Sequence, residues 1–209
     1  MFDDVVKQLN LGGFVAGVRQ FDEQKVLEAV LDVFWSRGWQ ATSMADLAEA
    51  ADVQRGSLYH AYGGKEALFL LAFELYAGRF LSEAKAALSA ATAEQALRGF
   101  FKVAVANMTK GQPARGCLTT KTAAEVGAAG PRIQQRLRHL LDDLRDVFVT
   151  ALAQPYIAKD LALPPEDAAD ILITFTRGLA VLERVYENAA LLRRNADSLV
   201  RALVLTARP

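Results

Sequence analysis

From residue 22 onward the apolar positions recur every three or four residues, the period that lines them along one face of a helix, and no stretch reads as a convincing strand. Asp22 is placed to cap a first helix with Val26, Val30, Val33 and Phe34 on its inner face, and Gly38 ends it. Thr42 and Ser43 precede a second run, Met44, Leu47, Ala48 and Ala51; Asp46, three residues after Ser43, favours the positive helix start. Asp52 is the one turn residue before a short helix over 54–62, in which Val53, Leu58 and Tyr62 point inward. Gly63 and Gly64 open a long helix from Lys65 to about Ala90, with the stripe Leu68, Leu71, Ala72, Leu75 and Phe80. Thr92 and Gln95 form a capping box before Leu97, Phe100, Phe101, Ala104 and Met108, and Gly111-Gln112-Pro113 breaks that helix. Cys117 to Val126 reads as a shorter helix, and Pro131 to about Gln154 as a strongly amphipathic one. Pro164-Pro165 starts another, with Ala168, Ile171, Leu172, Phe175, Leu179, Leu182 and Tyr186 as its stripe. Asn195 is placed to cap the last, with Leu199, Val200, Leu203 and Val204. The pattern predicts an all-α chain of nine helices, ten if Val5, Val6 and Leu9 form one within the first 21 residues.

Two of these faces ask for something outside themselves. On the 54–62 helix the inward residues leave Arg55, Ser57, Tyr59 and His60 pointing outward, which suits a DNA surface. Arg55 can donate two parallel hydrogen bonds to a guanine edge, Ser57 can bond a base or a phosphate, and Gly56 lets the backbone approach the groove wall. Tyr59 offers a phenol, His60 a ring nitrogen, and Gly63-Gly64-Lys65 a helix start with free N–H groups for an anion. Such pairs of short helices also occur in proteins that never meet DNA, where an outward Arg or Tyr is simply solvated. On the penultimate helix Ile173, Ala180 and Val181 add a second apolar face, which predicts a partner.

The motif residues carry a resemblance. Gly38-Trp39, Thr42-Ser43, Leu47-Ala48, Ala51-Asp52-Val53-Gln54, Gly56-Ser57-Leu58-Tyr59, His60-Ala61-Tyr62 and Lys65-Glu66-Ala67-Leu68 resemble, in register over about 45 residues, the DNA-binding domain of the TetR family of bacterial transcriptional repressors. Asp52 stands where the family has a turn glycine, Gln54 where it has a serine cap, and Tyr62 where it has phenylalanine. The resemblance implies three parts: an arm over 1–21, a helix-turn-helix head over 22–68, and a helical ligand-binding and dimerisation body over 69–209. It implies that Thr42 and Ser43 touch phosphate, that Arg55, Gly56 and Tyr59 lie in or beside the major groove with His60 behind, and that Lys65 clamps a phosphate. Gln54, in the cap position, and Ser57 complete the implied DNA-contact set. It also implies a homodimer through the last two helices, with recognition helices about one DNA turn apart, and a small-molecule effector in the body that shifts the 65–90 helix. Phe101, Met108, Cys117, Phe148, Phe175 and Leu179 are the pocket candidates by helix position, and an apolar or aromatic ligand is expected there; each is also ordinary core by composition.

Charge changes the picture locally. The net formal charge is zero, and Asp22–Glu66 holds four basic against eight acidic residues. Phosphate neutralisation drives most DNA affinity, so few phosphate contacts, a shallow salt dependence and reliance on dimerisation are expected. The acidic head and the weak Gln54 cap also motivate an alternative: a helical ligand-binding or protein-interaction module whose head no longer binds DNA. In the arm only Lys7 and Arg19 are basic. The face of the 131–154 helix that carries Arg132, Arg136, Arg138, Asp142, Asp143 and Asp146 reads as solvated.

Little points to chemistry. Ser57 and His60 have no third partner or oxyanion loop, and phosphate-loop, dinucleotide and metal spacings are missing, so no enzyme, cofactor or metal is expected. One cysteine excludes an intrachain disulfide, the acidic start does not read as a signal peptide, and the most apolar run, Ala67–Tyr76, contains Glu74 and is too short to span a bilayer. A cytoplasmic protein with no membrane partner is expected. Cys117, in Arg115-Gly116-Cys117-Leu118, stands beside a helix start and an arginine that would lower its pKa; a buried, inert thiol is the plainer alternative.

Overall fold

The computed structural model describes residues 22–205, all helical apart from turns and one isolated antiparallel bridge between Leu161 and Val204. The arm, with Lys7 and Arg19, lies outside the described residues. Eleven helices follow in order: α1 Glu23–Arg37, α2 Met44–Ala50, α3 Arg55–Tyr62, α4 Lys65–Leu88, α5 Ala93–Met108, α6 Leu118–Ala124, α7 Val126–Ala129, α8 Pro131–Leu152, α9 Pro155–Ala158, α10 Pro165–Tyr186 and α11 Ala189–Leu203. The two beyond the nine expected, α7 and α9, have four residues each, too few for apolar periodicity to register. Cys117 is the N-cap of α6, which stops before Val126.

Local caps set most boundaries. The Asp22 carboxylate accepts from the amides of Gln24 and Lys25, and the amide of Gly38, at φ 86°, closes α1 on Phe34. Thr92 accepts from the Gln95 amide at the start of α5. The last helix begins earlier than its pattern predicts: Asn188 caps it by accepting from the Leu191 amide at 3.0 Å, and Asn195 lies inside it. Two asparagines seven residues apart present the same cap chemistry to the same stripe. The choice is made by the end of α10, where Glu187 turns left-handed at φ 46°.

The core has two parts. One packs α1, α2, α3 and the first half of α4 against Leu118, Ala129 and the first half of α8 (Ile133, Leu137, Leu140). The other packs the end of α4 (Phe80, Ala84, Leu88) against α5, the end of α8, α10 and α11. The α4 helix therefore runs through both, with a ladder of rings along it: Phe69, Phe73, Tyr76 and Phe80 stand at centroid separations of 5.5, 5.5 and 6.2 Å. Rings of α1 meet that ladder edge-on, Phe34 on Phe69 and Trp35 on Tyr76, each at 5.0 Å.

Three side-chain expectations change. Ala180 is buried, and Ile171 and Tyr186 of the expected inner stripe are exposed. The outer face of α10 is instead Ile171, Thr174, Gly178, Val181 and Val185. Arg136 is not on a solvated face: it makes a two-pronged ion pair with Glu74 of α4 and lies over the Phe73 ring.

Candidate nucleic-acid interface

The helix pair is positioned by its own residues. Ser43 caps α2 with a reciprocal bond: its hydroxyl accepts from the Asp46 amide at 3.2 Å, while Asp46 Oδ2 accepts from the Ser43 amide at 2.7 Å. The Ser43 hydroxyl and amide, joined by the Arg37 guanidinium, hold the Asp46 carboxyl down to about 2. Asp52 turns the chain at φ 51° and lets the Val53 amide reach back to the Ala48 carbonyl at 3.0 Å. Leu58 and Tyr62 then anchor α3 in the core, Leu58 fully buried and Tyr62 nearly so. That leaves Gln54, Arg55, Gly56, Ser57, Tyr59 and His60 on one continuous exposed stretch. The Arg55 guanidinium lies 5.5 Å from the Tyr59 ring. Gln54 makes no side-chain cap bond, so the first amides of α3 stay open.

Two expected contacts are placed differently. Thr42 is buried, and its hydroxyl donates to the Gly38 carbonyl at 2.6 Å; its side chain ties the α1–α2 turn instead of facing a phosphate. Lys65 is half-buried. Its ammonium donates to the Thr42 carbonyl at 2.7 Å and lies 4.3 Å from the centre of the Trp39 ring, and burial lowers its pKa. Lys65 thus bolts the start of α4 to that turn. A Cβ at Gly63 or Gly64 would meet nothing within 4 Å, so the amides at the start of α4 remain approachable.

Four of the head's eight acids are tied in ion pairs between elements, away from α3. Glu28 pairs with Arg79 at 2.5 Å, Asp32 with Arg115 at 2.6 Å and Glu66 with Arg132 at 2.8 Å, all partners from beyond the head, while Asp46 pairs with Arg37. These acids face the body or the α2 cap, not the exposed stretch of α3. The body returns further ties to the same seam. Glu125 Oε2 accepts from the Trp39 amide at 2.5 Å and the Gln40 amide at 3.3 Å, Trp35 Nε1 donates to the Gly116 carbonyl at 2.8 Å, and Lys121 donates to the carbonyls of Trp35 and Ser36. Glu125 and Lys121 went unread in the sequence because nothing local marks a partner more than 80 residues away.

In the body, Phe101, Met108, Cys117, Phe148 and Leu179 are buried in one cluster, and Phe175 packs on it with its ring 5.9 Å from that of Phe101. Phe148 meets Phe100 at 4.6 Å. Cys117 is partnered by Arg177, whose Nη1 donates to Sγ at 3.5 Å, with the Tyr76 hydroxyl at 3.9 Å. Arg115 is not its neighbour in charge, being spent on Asp32 and lying over Trp35. Burial pushes the thiol up, but the Arg177 guanidinium, with Thr120 and Tyr76 beside it, outweighs that and leaves the pKa below the ordinary cysteine value. Among the described residues no cluster of His, Cys, Asp and Glu could hold a metal, and no helix is long and apolar enough to cross a membrane.

A head built this way is matched over residues 26–72 by the family described as bacterial regulatory proteins, tetR family, and residues 93–199 by the tetracyclin repressor-like C-terminal domain. The chain belongs to the TetR family. It is a transcriptional regulator with an N-terminal helix-turn-helix and a helical C-terminal domain, in a family of regulators and not of enzymes. The transcriptional repressor ComR of Escherichia coli is 37% identical over 101 residues, 46% of this chain and 47% of ComR, so the match spans about half of that relative. The regulator YezE of Bacillus subtilis is 28% identical over 143 residues, 68% and 72% of the two chains. Among solved structures, the regulator CifR, a cysteine-substituted variant in complex with 26-base-pair operator DNA, superposes with a TM-score of 0.77 at 27% identity, covering 91% of this chain and 100% of that one. Reduced NemR of E. coli shares the fold, with a TM-score of 0.79 at 18% identity over 89% and 98% of the chains.

Proposed function

We propose that this TetR-family regulator is a dimeric repressor that binds a near-palindromic operator through α3 and is released by a small apolar or aromatic effector in the body. The observation that carries the reading is the exposed stretch of α3, where Arg55, Ser57, Tyr59 and His60 face outward from a helix anchored by Leu58 and Tyr62 while Glu28, Asp32, Asp46 and Glu66 are paired elsewhere. Arg55 reads a guanine edge, with Gly56 admitting the backbone; Ser43, Gln54, Ser57, Tyr59 and the open amides of α4 meet phosphate or base edges. ComR is a repressor and CifR binds operator DNA, which favours the same use of the head here. Residues 22–68 serve as the head and 69–209 as the body.

The outer face of α10 supplies the dimer. Val181 and Val185 are 54% and 68% exposed, Gly178 leaves open space, and a lone apolar stripe of this kind calls for a second copy. The effector enters the cluster of Phe101, Met108, Phe148, Phe175 and Leu179, whose repacking moves α5, α8 and α10 against α4. Gel shift on the DNA flanking the protein's own gene tests the reading: wild type retards it at low salt, and Arg55→Ala loses preference for it over unrelated DNA. No retardation by wild type contradicts the reading.

A second trigger is favoured by one observation, the thiol held between Tyr76 of α4 and Arg177 of α10 with a lowered pKa. Alkylation of Cys117 would break both contacts at once. Treatment with iodoacetamide is expected to add one mass increment to the folded protein and weaken operator binding; a thiol that reacts only after unfolding removes this trigger.

A further inference from the structure

The end of α1, the 111–115 loop and the end of α10 line a half-open cavity of about 610 Å³, within the range of small-molecule sites. It shares no residue with the DNA-facing stretch or the apolar core. Ser36 comes from the head, Arg115 from the loop, and Glu183, Arg184 and Glu187 from α10 and its C-terminal turn. Glu183 decides its character. Only 2% of this residue is exposed, and its Oε2 has no hydrogen-bond partner among the described residues. Burial raises its pKa against the pull of Arg184 and Lys121. Lys121 is committed to the carbonyls of Trp35 and Ser36, and Arg115 to Asp32. The lining carries two carboxylates, Glu183 and Glu187, and two guanidiniums, Arg115, which is tied to Asp32, and Arg184, which lies beside Glu183. A cation with N–H groups would supply the donor that Glu183 Oε2 lacks.

We infer that this cavity is an effector site for a small organic cation, whose ammonium or amidinium group bonds Glu183, and that its occupancy is transmitted to the DNA-binding head. The transmission is built into Gly116. Its φ is 71°, which favours glycine, and Glu183 Oε2 packs in ordinary contact distance, 3.4 Å from where a Cβ would stand. The carbonyl of the same residue accepts from Trp35 Nε1, and the neighbouring Arg115 holds Asp32. A ligand against Glu183 therefore presses on two of the ties that orient α1. The transmission rests on the repressor reading above; the cation site does not.

Calorimetric titration of the full-length protein with benzylammonium chloride, and with benzyl alcohol as its uncharged counterpart, tests the site. Benzylammonium is expected to saturate one site per chain, to bind at least ten-fold more weakly to Glu183→Gln, and to shift the Trp35 indole N–H resonance of wild type; benzyl alcohol should do none of these. No saturable binding, equal binding of the alcohol, binding undiminished in Glu183→Gln, or an unmoved Trp35 resonance overturns the site. Should the variant fail to fold, the Trp35 resonance of wild type alone decides. Benzylammonium should also change operator affinity several-fold in wild type, and binding without that change overturns the transmission. If wild type binds no operator at all, the repressor reading fails while the titration still judges the cavity.

Discussion

Lys65 and Asp46 are the residues whose surroundings say most about the head. Because the Lys65 ammonium bonds the Thr42 carbonyl and covers the Trp39 ring, Lys65→Ala is expected to lower head stability by about 1–2 kcal/mol. It should weaken binding to all DNA sequences alike, through a loosened α1–α2 turn; thermal unfolding beside anisotropy titrations separates it from Arg55→Ala, which should lose selectivity with an unchanged midpoint. The Asp46 carboxyl, held at about 2, is lowered on folding, so its capping contribution is complete above the unfolded carboxylate range near 3.9 and is lost as pH falls through about 2. Wild type should therefore lose its stability advantage over Asp46→Ala between roughly pH 4 and pH 2. A constant difference across that window would contradict the capping role.

At the scale of elements, what was legible is what is local. The α2–α3 turn could be read because Ser43, Asp46 and Asp52 act on atoms within a few residues of themselves, and the left-handed φ of Asp52 bears that out. The start of α11 was misread because Asn188 and Asn195 offer one chemistry at two places, and only the stop of α10 chooses. Of the outer face expected on α10 only Val181 is exposed: Ala180, one residue and about 100° of helix away, turns inward, and Ile173 packs on the core. In the candidate site, the exposed side chains of α3 were legible from the anchors Leu58 and Tyr62. The inward turn of Lys65 was not, since its acceptor at Thr42 is set by how α4 meets the α1–α2 turn. Two outcomes follow. Phe148→Ala should cost about 3–5 kcal/mol, because the side chain is fully buried against Phe100 and leaves a cavity. Val185→Asp should keep the helical signal and yet halve the mass seen in sedimentation, because it places charge on an otherwise uncharged outer stripe; an unchanged mass would move the dimer contact elsewhere.

For the whole molecule, the head and body are joined by polar ties, buried at Trp35 and exposed at the ion pairs, as well as by apolar packing. Asp32–Arg115, Glu66–Arg132, Glu125 to the Trp39 amide and Trp35 to Gly116 all cross the same seam. Glu28, Asp32, Asp46 and Glu66 are thus structural, while Asp52, in the turn before α3, stays exposed, so net charge alone does not describe the surface that DNA would meet. Glu125→Ala, which frees the Trp39 amide, should lower operator affinity without touching sequence preference, as read by competition with unrelated DNA. A head with so few outward cations should also show a shallow dependence of log affinity on log salt, at about 0.9 per phosphate neutralised. The most direct measurement is a hydroxyl-radical footprint of wild type on the DNA flanking its own gene at low salt. The account predicts protection of a near-palindrome in two patches about one helical turn apart, lost in Arg55→Ala. A uniform cleavage pattern, the same with and without protein, would contradict it.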